Sequence, residues 1–206
     1  MAVLALVLYV AFLVLAFGVR SVMQWRATGS AGFRGISGNP RSADWWGGVL
    51  FVVAVVVGVA APGLQWTGVL SPVGVLDAAW IQVVGLVLAL GGIGATVAAQ
   101  QSMGRSWRIG VEAAERTELV TGGAFAWVRN PIFTTMVTAA LGLGLLAPNV
   151  LALAGLVALL LAVQLQVRRV EEPYLLVVHG QAYRDYAARA GRFLPMLGRL
   201  PAIASS

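Results

Sequence analysis

The sequence predicts an all-α, polytopic membrane bundle. It has five transmembrane helices, a C-terminal helical hairpin and a cytoplasmic amphipathic helix. Three observations predict it. The 206 residues are 59% hydrophobic and 11% charged, whereas a soluble domain carries about 25% charge. The apolar residues fall in long uncharged runs. Every cationic side chain is an arginine, and all 14 lie on one side of a five-span arrangement. Disorder is excluded by the same composition, because it needs low hydrophobicity and high charge.

The runs are residues 2–19, 47–64, 78–98, 132–146 and 150–167. At 1.5 Å per residue the third is about 31 Å long, enough to cross the hydrocarbon core. The fourth is only about 22 Å by that rise. It must therefore borrow residues from Ala124 onward or sit deep beside its neighbour. Ala147-Pro148-Asn149 separates the fourth and fifth runs and is too short for anything but a tight hairpin. The first run lacks a basic segment before it, and Arg20 follows it, so it reads as a span and not a signal peptide.

Arg20, Arg26, Arg34 and Arg41 lie between the first two runs. Arg105, Arg108, Arg116 and Arg129 lie between the third and fourth, and the other six follow the fifth. Cytoplasmic loops hold the arginines. That places the N-terminus outside and the C-terminus inside, in one integral membrane domain. No charge sits mid-span, which argues against an ion pump or a voltage sensor. The absence of cysteine and the single histidine exclude disulfides, a thiol nucleophile and a histidine-rich metal site. The apolar content makes a membrane, not nucleic acid, the partner of the net charge of +6.

The chemistry-bearing residues gather in two cytoplasmic segments, 104–131 and 168–199. In the first, Asn130-Pro131 at the mouth of the fourth span reads as a helix start, with Asn as cap and Pro at the first helical position. Free N–H groups there can also receive an anion. In the second, Glu171-Glu172 follow Arg168-Arg169. Acids at a helix C-terminus oppose its dipole, so the four side chains pair with one another or form a ligand site. Tyr174 to Ala190 reads as an amphipathic interfacial helix. The loop from Arg20 to Trp46 is read as an interfacial loop, with a flap over a site as the alternative.

Leu119-Val120-Thr121-Gly122-Gly123-Ala124-Phe125-Ala126-Trp127-Val128-Arg129-Asn130-Pro131, then the hairpin, Glu171-Glu172, and Gly180-Gln181-Ala182-Tyr183 with Tyr186 resemble the isoprenylcysteine carboxyl methyltransferase family. Its pattern is roughly L-V-x-x-G-x-Y-x-x-x-R-H-P, a hairpin, E-E and G-x-x-Y-x-x-Y. The likeness covers about Gly104 to Pro195 and extends to the related phospholipid methyltransferases, which share the Glu-Glu ending. It implies S-adenosylmethionine as methyl donor, bound at the cytoplasmic end of the last two spans. It assigns the cofactor to Glu118, Leu119, Val120, Phe125, Arg129, Asn130, Pro131 and Glu171. Arg168 falls near the arginine that the family places by the acceptor, and Glu172 is the second acid. Two residues depart from the pattern. Asn130 stands for the usual histidine, and Phe125 lacks the tyrosine hydroxyl.

The implied reaction is methyl transfer to a lipophilic acceptor, a carboxylate among the options, entering from the bilayer. A carboxylate needs no general base, and Arg168 could orient it by a bidentate contact. An amine, phenol or thiol would need a base, and Glu172 is the first candidate. Two rival readings remain. A membrane reductase of the sterol-reductase type would bind NADPH through tail arginines, although adjacent glutamates suit a phosphate-rich cofactor poorly. A non-catalytic membrane protein would use its arginines only for topology and anionic lipid.

Overall fold

A computed structural model describes residues 1–32, 35–104, 107 and 119–201. The first span is one continuous helix from Ala2 to Thr28. It comprises α1 (Ala2–Leu13), a π-helical stretch (Val14–Val19) and α2 (Arg20–Thr28). α3 (Ala43–Trp66) and α4 (Ala79–Ser102) follow. The hairpin is α5 (Pro131–Leu146) and α6 (Val150–Leu165). A second π-helical stretch (Gln166–Glu171) then leads into α7 (Glu172–Arg189). Among the described residues there is no strand, only one bridge between Val128 and Gly191.

The all-helical membrane architecture expected from the runs is therefore what the chain adopts. Four helices are long and apolar enough to cross a membrane, and α5 is the shorter fifth. At 16 residues α5 is about 24 Å long. It does not recruit the residues before it. Gly123–Ala126 form a separate 3₁₀ turn, and the helix begins at Pro131. It sits deep instead, with Ile132, Phe133, Met136, Ala139, Leu143 and Leu146 all buried.

Small residues let α5 approach α4 closely. A Cβ added at Gly92 would lie 2.5 Å from the Ala139 nitrogen and 2.7 Å from its Cα. A Cβ at Gly142 would run into the backbone of Ala89. In lipid there is no hydrophobic force between helices, so this packing and interhelical hydrogen bonds hold the pair. Thr96 supplies one, reaching Thr135 Oγ1 at 3.0 Å.

The hairpin tip is tied to α3 by one buried residue. Asn149 accepts from the Ala152 N–H at 2.9 Å and so caps α6. Its amide nitrogen donates to the Ala61 carbonyl at 3.0 Å and to Gln65 Oε1 at 2.8 Å. At the opposite end of the bundle Arg20 donates to the Gly104 carbonyl at 2.5 Å, and a Cβ at Gly47 would sit 3.5 Å from Gln166 Oε1. These helix ends thus meet one another.

Gly92→Ala should overpack the α4–α5 seam and cost about 1–3 kcal/mol. Gly94→Ala, where a Cβ meets nothing within 4 Å, should change little. Thermal unfolding of both variants in the same detergent checks this; equal midpoints would show that the seam yields.

Candidate functional site

The site is assembled where the α5 mouth meets the C-terminal segment. Trp127 to Arg129 pair with Gly191 through two backbone hydrogen bonds. Arg129 N donates to the Gly191 carbonyl at 2.8 Å, and Gly191 N to the Trp127 carbonyl at 3.0 Å. This brings Arg129 and Arg192 to either side of Glu172. Arg129 Nη2 lies 2.7 Å from Glu172 Oε1. Arg192 grips the same carboxylate with Nε at 2.7 Å and Nη2 at 2.9 Å. Arg129 also donates to the carbonyls of Ala187, Ala190 and Gly198 at 3.0, 2.7 and 3.1 Å.

Burial alone would push the Glu172 carboxyl up. Hydrogen bonds from Arg192 and Arg129, helped by their charges, win and hold it below its ordinary value. The carboxylate stays ionised and fully occupied as an acceptor.

α7 reaches this centre through a break. Gly180 adopts φ 51°, ψ −121° inside the helix, a region that only glycine enters freely. The second half is thereby turned so that Tyr183 and Tyr186 are buried. Tyr186 donates to the Phe125 carbonyl at 2.7 Å and so anchors the 3₁₀ turn. Burial pushes the Tyr183 hydroxyl up to about 12 and raises that of Tyr186 as well.

The two adjacent glutamates part company, because consecutive residues on a helix do not share a face. Glu171 is half-buried on the side of Gln166, whose amide donates to it at 3.3 Å. Gln166 is in turn part of a pocket with Gly35, Ser37, Asp44, Gly47 and Phe133. The pocket encloses about 440 Å³, its open side included. Ser37 donates to Asp44 Oδ2 at 3.0 Å and holds the first loop in place. That loop also packs on Trp107, where a Cβ at Gly32 would come within 2.8 Å of the indole. Trp107 is buried, with the Arg20 guanidinium 4.7 Å from its ring centre.

Known proteins can now be compared with this geometry. The family model for phospholipid methyltransferases matches residues 80–182, half of the chain. The chain belongs to the phospholipid methyltransferase family. A curated relative is the nickel-cobalt-cadmium resistance protein NccN of Alcaligenes xylosoxydans xylosoxydans, 30% identical over 122 residues. That match takes in 59% of this chain, and the chain spans about half of the relative's length. Among solved structures, the eukaryotic intramembrane Ras methyltransferase (isoprenylcysteine carboxyl methyltransferase) is similar in fold. Its TM-score is 0.59 at 18% identity, over 94% of this chain and 67% of that one. The likeness drawn from the motifs is thus borne out in family and in fold.

Of the residues that the resemblance singled out, Phe125, Arg129, Asn130, Pro131 and Glu172 converge around the ionic centre. Leu119 packs against the Tyr183–Tyr186 cluster, and Val120 against the cluster that holds Trp107 and Phe125. Glu171 accepts from Gln166, which itself lines the neighbouring pocket. Arg168 is exposed. Glu118 lies outside the described residues. Asn130 differs from its reading as a side-chain cap. It occupies the cap position, but its amide donates to the Arg192 carbonyl at 3.0 Å. Residue pattern alone did not reveal Arg192, Asp44 or Gln166. No motif surrounds them, and only the folded chain brings Asp44 and Gln166 to one pocket and Arg192 back to Glu172.

Glu172→Ala should leave the buried Arg129 and the partly buried Arg192 without their carboxylate and cost about 3 kcal/mol. The pH sign also follows. With the folded carboxyl held below its ordinary value, the ion-pair contribution is complete above about pH 4.3. It is lost as pH falls below that point. Unfolding midpoints measured against pH should show this acid limb in the wild type and not in Glu172→Gln; matching limbs would remove Glu172 from the ionic centre.

Proposed function

We propose that the chain is an integral membrane methyltransferase that uses S-adenosylmethionine to methylate a lipophilic acceptor at the cytoplasmic interface, with the N-terminus outside. One observation carries the reading. Arg129, Asn130 and Glu172, which the resemblance singles out, meet Arg192 in one polar cluster, and the nearby Gln166 joins Glu171 to a pocket lined by Asp44. The side chains there suit the donor. Asp44 borders the pocket and Glu171 stands behind Gln166, and acids of this kind offset the ammonium and sulfonium charges. The same acids repel the phosphates of NADPH, which weakens the reductase alternative.

When bound, S-adenosylmethionine supplies an electrophilic methyl group on a sulfonium. The protein's own contribution is positional, and effective molarity can be worth about 7–11 kcal/mol of barrier. Glu171 and Gln166 hold the donor's cationic end. The Leu119–Phe125 segment offers backbone groups and the buried Phe125 ring. Asn130 tethers Arg192 in place of the histidine. Glu172, ionised and gripped by two arginines, serves as a positioning residue that keeps the polar cluster in register. Arg168 and Arg169, exposed at the interface, are the cations open to a carboxylate acceptor. Such an acceptor is nucleophilic as it arrives and asks for no base.

Calorimetry on the detergent-solubilised protein tests this, with S-adenosylmethionine and NADPH titrated in parallel. Saturable binding of S-adenosylmethionine alone is expected. Glu171→Ala should lose that binding while keeping the wild-type unfolding midpoint within a few degrees. Asn130→His should retain it, since imidazole can also donate to the Arg192 carbonyl. Binding of NADPH alone, or unchanged affinity in Glu171→Ala, would overturn the assignment.

A further inference from the structure

The polar pocket adjoins a second, inner one, and the two share Phe51. On α3, α5 and α6 the lining continues one helical turn deeper into the bilayer. It passes from Phe51 to Ala54, from Phe133 to Met136 and from Val163 to Leu159. The inner pocket encloses about 640 Å³, its open side included, and reaches Pro62 and Ala147 at the hairpin end. Its described lining is apolar except for one hydroxyl, that of Tyr9 from α1. Tyr9 crosses this inner groove. Its hydroxyl lies 3.5 Å from the Ala54 carbonyl, and any Cβ at Gly58 would collide with it. The glycine is the seat that lets the tyrosine lie across.

Two adjoining pockets, polar at the membrane boundary and apolar inward, match an amphiphile with its reactive head at the polar one. Lipid tails are as apolar as the helices. A chain therefore gains no hydrophobic energy on leaving the bilayer for the groove, and selection among chains must be steric. Phe51 to Gly58 spans seven residues, about 10 Å along α3, and Phe51 to Pro62 about 16 Å. We propose that the inner groove holds one hydrocarbon chain of the acceptor and that Tyr9, seated on Gly58, limits how deep that chain can enter. The proposal rests on the methyltransferase reading of the polar end and deepens it by naming what sets chain length.

The test uses fatty acids of graded length with a diazirine at the terminal carbon, offered to the full chain in nanodiscs. Labelled residues are mapped by mass spectrometry. In the wild type, labelling should centre between Phe51 and Gly58 and fall about tenfold once the chain outgrows that depth, as overpacking costs predict. Tyr9→Ala should move the cut-off to longer chains and shift labelling toward Pro62 and Ala147. Tyr9→Phe, which keeps the ring, should keep the wild-type cut-off. Should Tyr9→Ala melt early, Tyr9→Leu gives the same comparison. A length profile identical in all variants, or labels confined to the outer surface of the bundle, overturns the proposal. A length-independent signal in the groove, the mark of an ordinary membrane lipid, overturns it too. S-adenosylmethionine binding is measured on the same samples. No donor binding with the cut-off intact would remove the methyl-transfer reading and keep the depth limit. Donor binding with no cut-off would do the reverse.

Discussion

The buried carboxylate of Glu172 between Arg129 and Arg192 is the constraint on which the cytoplasmic end of this bundle depends. It joins three parts of the chain that are far apart in sequence: the turn before α5, the start of α7 and the segment after it. Each arginine alone would be a desolvated charge at the membrane boundary, and the carboxylate alone would protonate. Together they satisfy one another. The buried Nε of Arg129 has no partner among the described residues, and its two terminal nitrogens also donate to the carbonyls of Ala187, Ala190 and Gly198. Those are carbonyls at and beyond the end of α7, where a helix leaves acceptors unpaired. A buried ion pair is weak evidence for net stability, but losing one partner is severe. Its role here is geometric. It fixes the register of the α5 mouth against the tail.

The transmembrane part obeys a different economy. Hydrophobic burial cannot hold helices together in lipid, so contact distance matters more than apolar area. Gly92 and Gly142 bring α4 and α5 near enough for backbone contact. Asn149 supplies three hydrogen bonds to carbonyl groups and a cap at the hairpin tip. Rigid packing at the far end and the ionic centre at the near end together keep α5 central. A short α5 is tolerable because its neighbours, not lipid, surround it.

Much of this was legible in the residue pattern, and for physical reasons. The uncharged runs had to be spans, because a bilayer admits few unpaired charges. The arginine distribution then fixed which ends of the helices meet. Ala147-Pro148-Asn149 could only be a tip. The failures are equally instructive. Asn130 looked like a cap because local chemistry favours it, yet a carbonyl 62 positions away takes its amide. Arg192 is one of six tail arginines, and only tertiary pairing separates it from the rest. The first loop gave no periodic signal, so its fold over Asp44 and Trp107 could not be read from spacing.

Under the proposed function, the same division explains how one small chain would host two dissimilar substrates. A charged, water-borne donor and a chain-bearing acceptor need opposite solvents, and they must meet with reacting atoms nearly in contact. The fold provides a boundary where this is possible without placing a charge inside a span. The acids stay at the helix ends, neutralised or hydrogen-bonded by neighbours, while the inner groove is apolar. The π-helical stretch before Glu172 matters here. At its end Glu171 accepts from Gln166 while Glu172 turns to the arginines, so the adjacent carboxylates have different partners. Moving Glu172 by a single residue would take it off the helix face that meets the two guanidinium groups. Adjacent positions on a helix point to different sides at nearly the same height, so the Glu171-Glu172 pair serves Gln166 on one side and the arginines on the other.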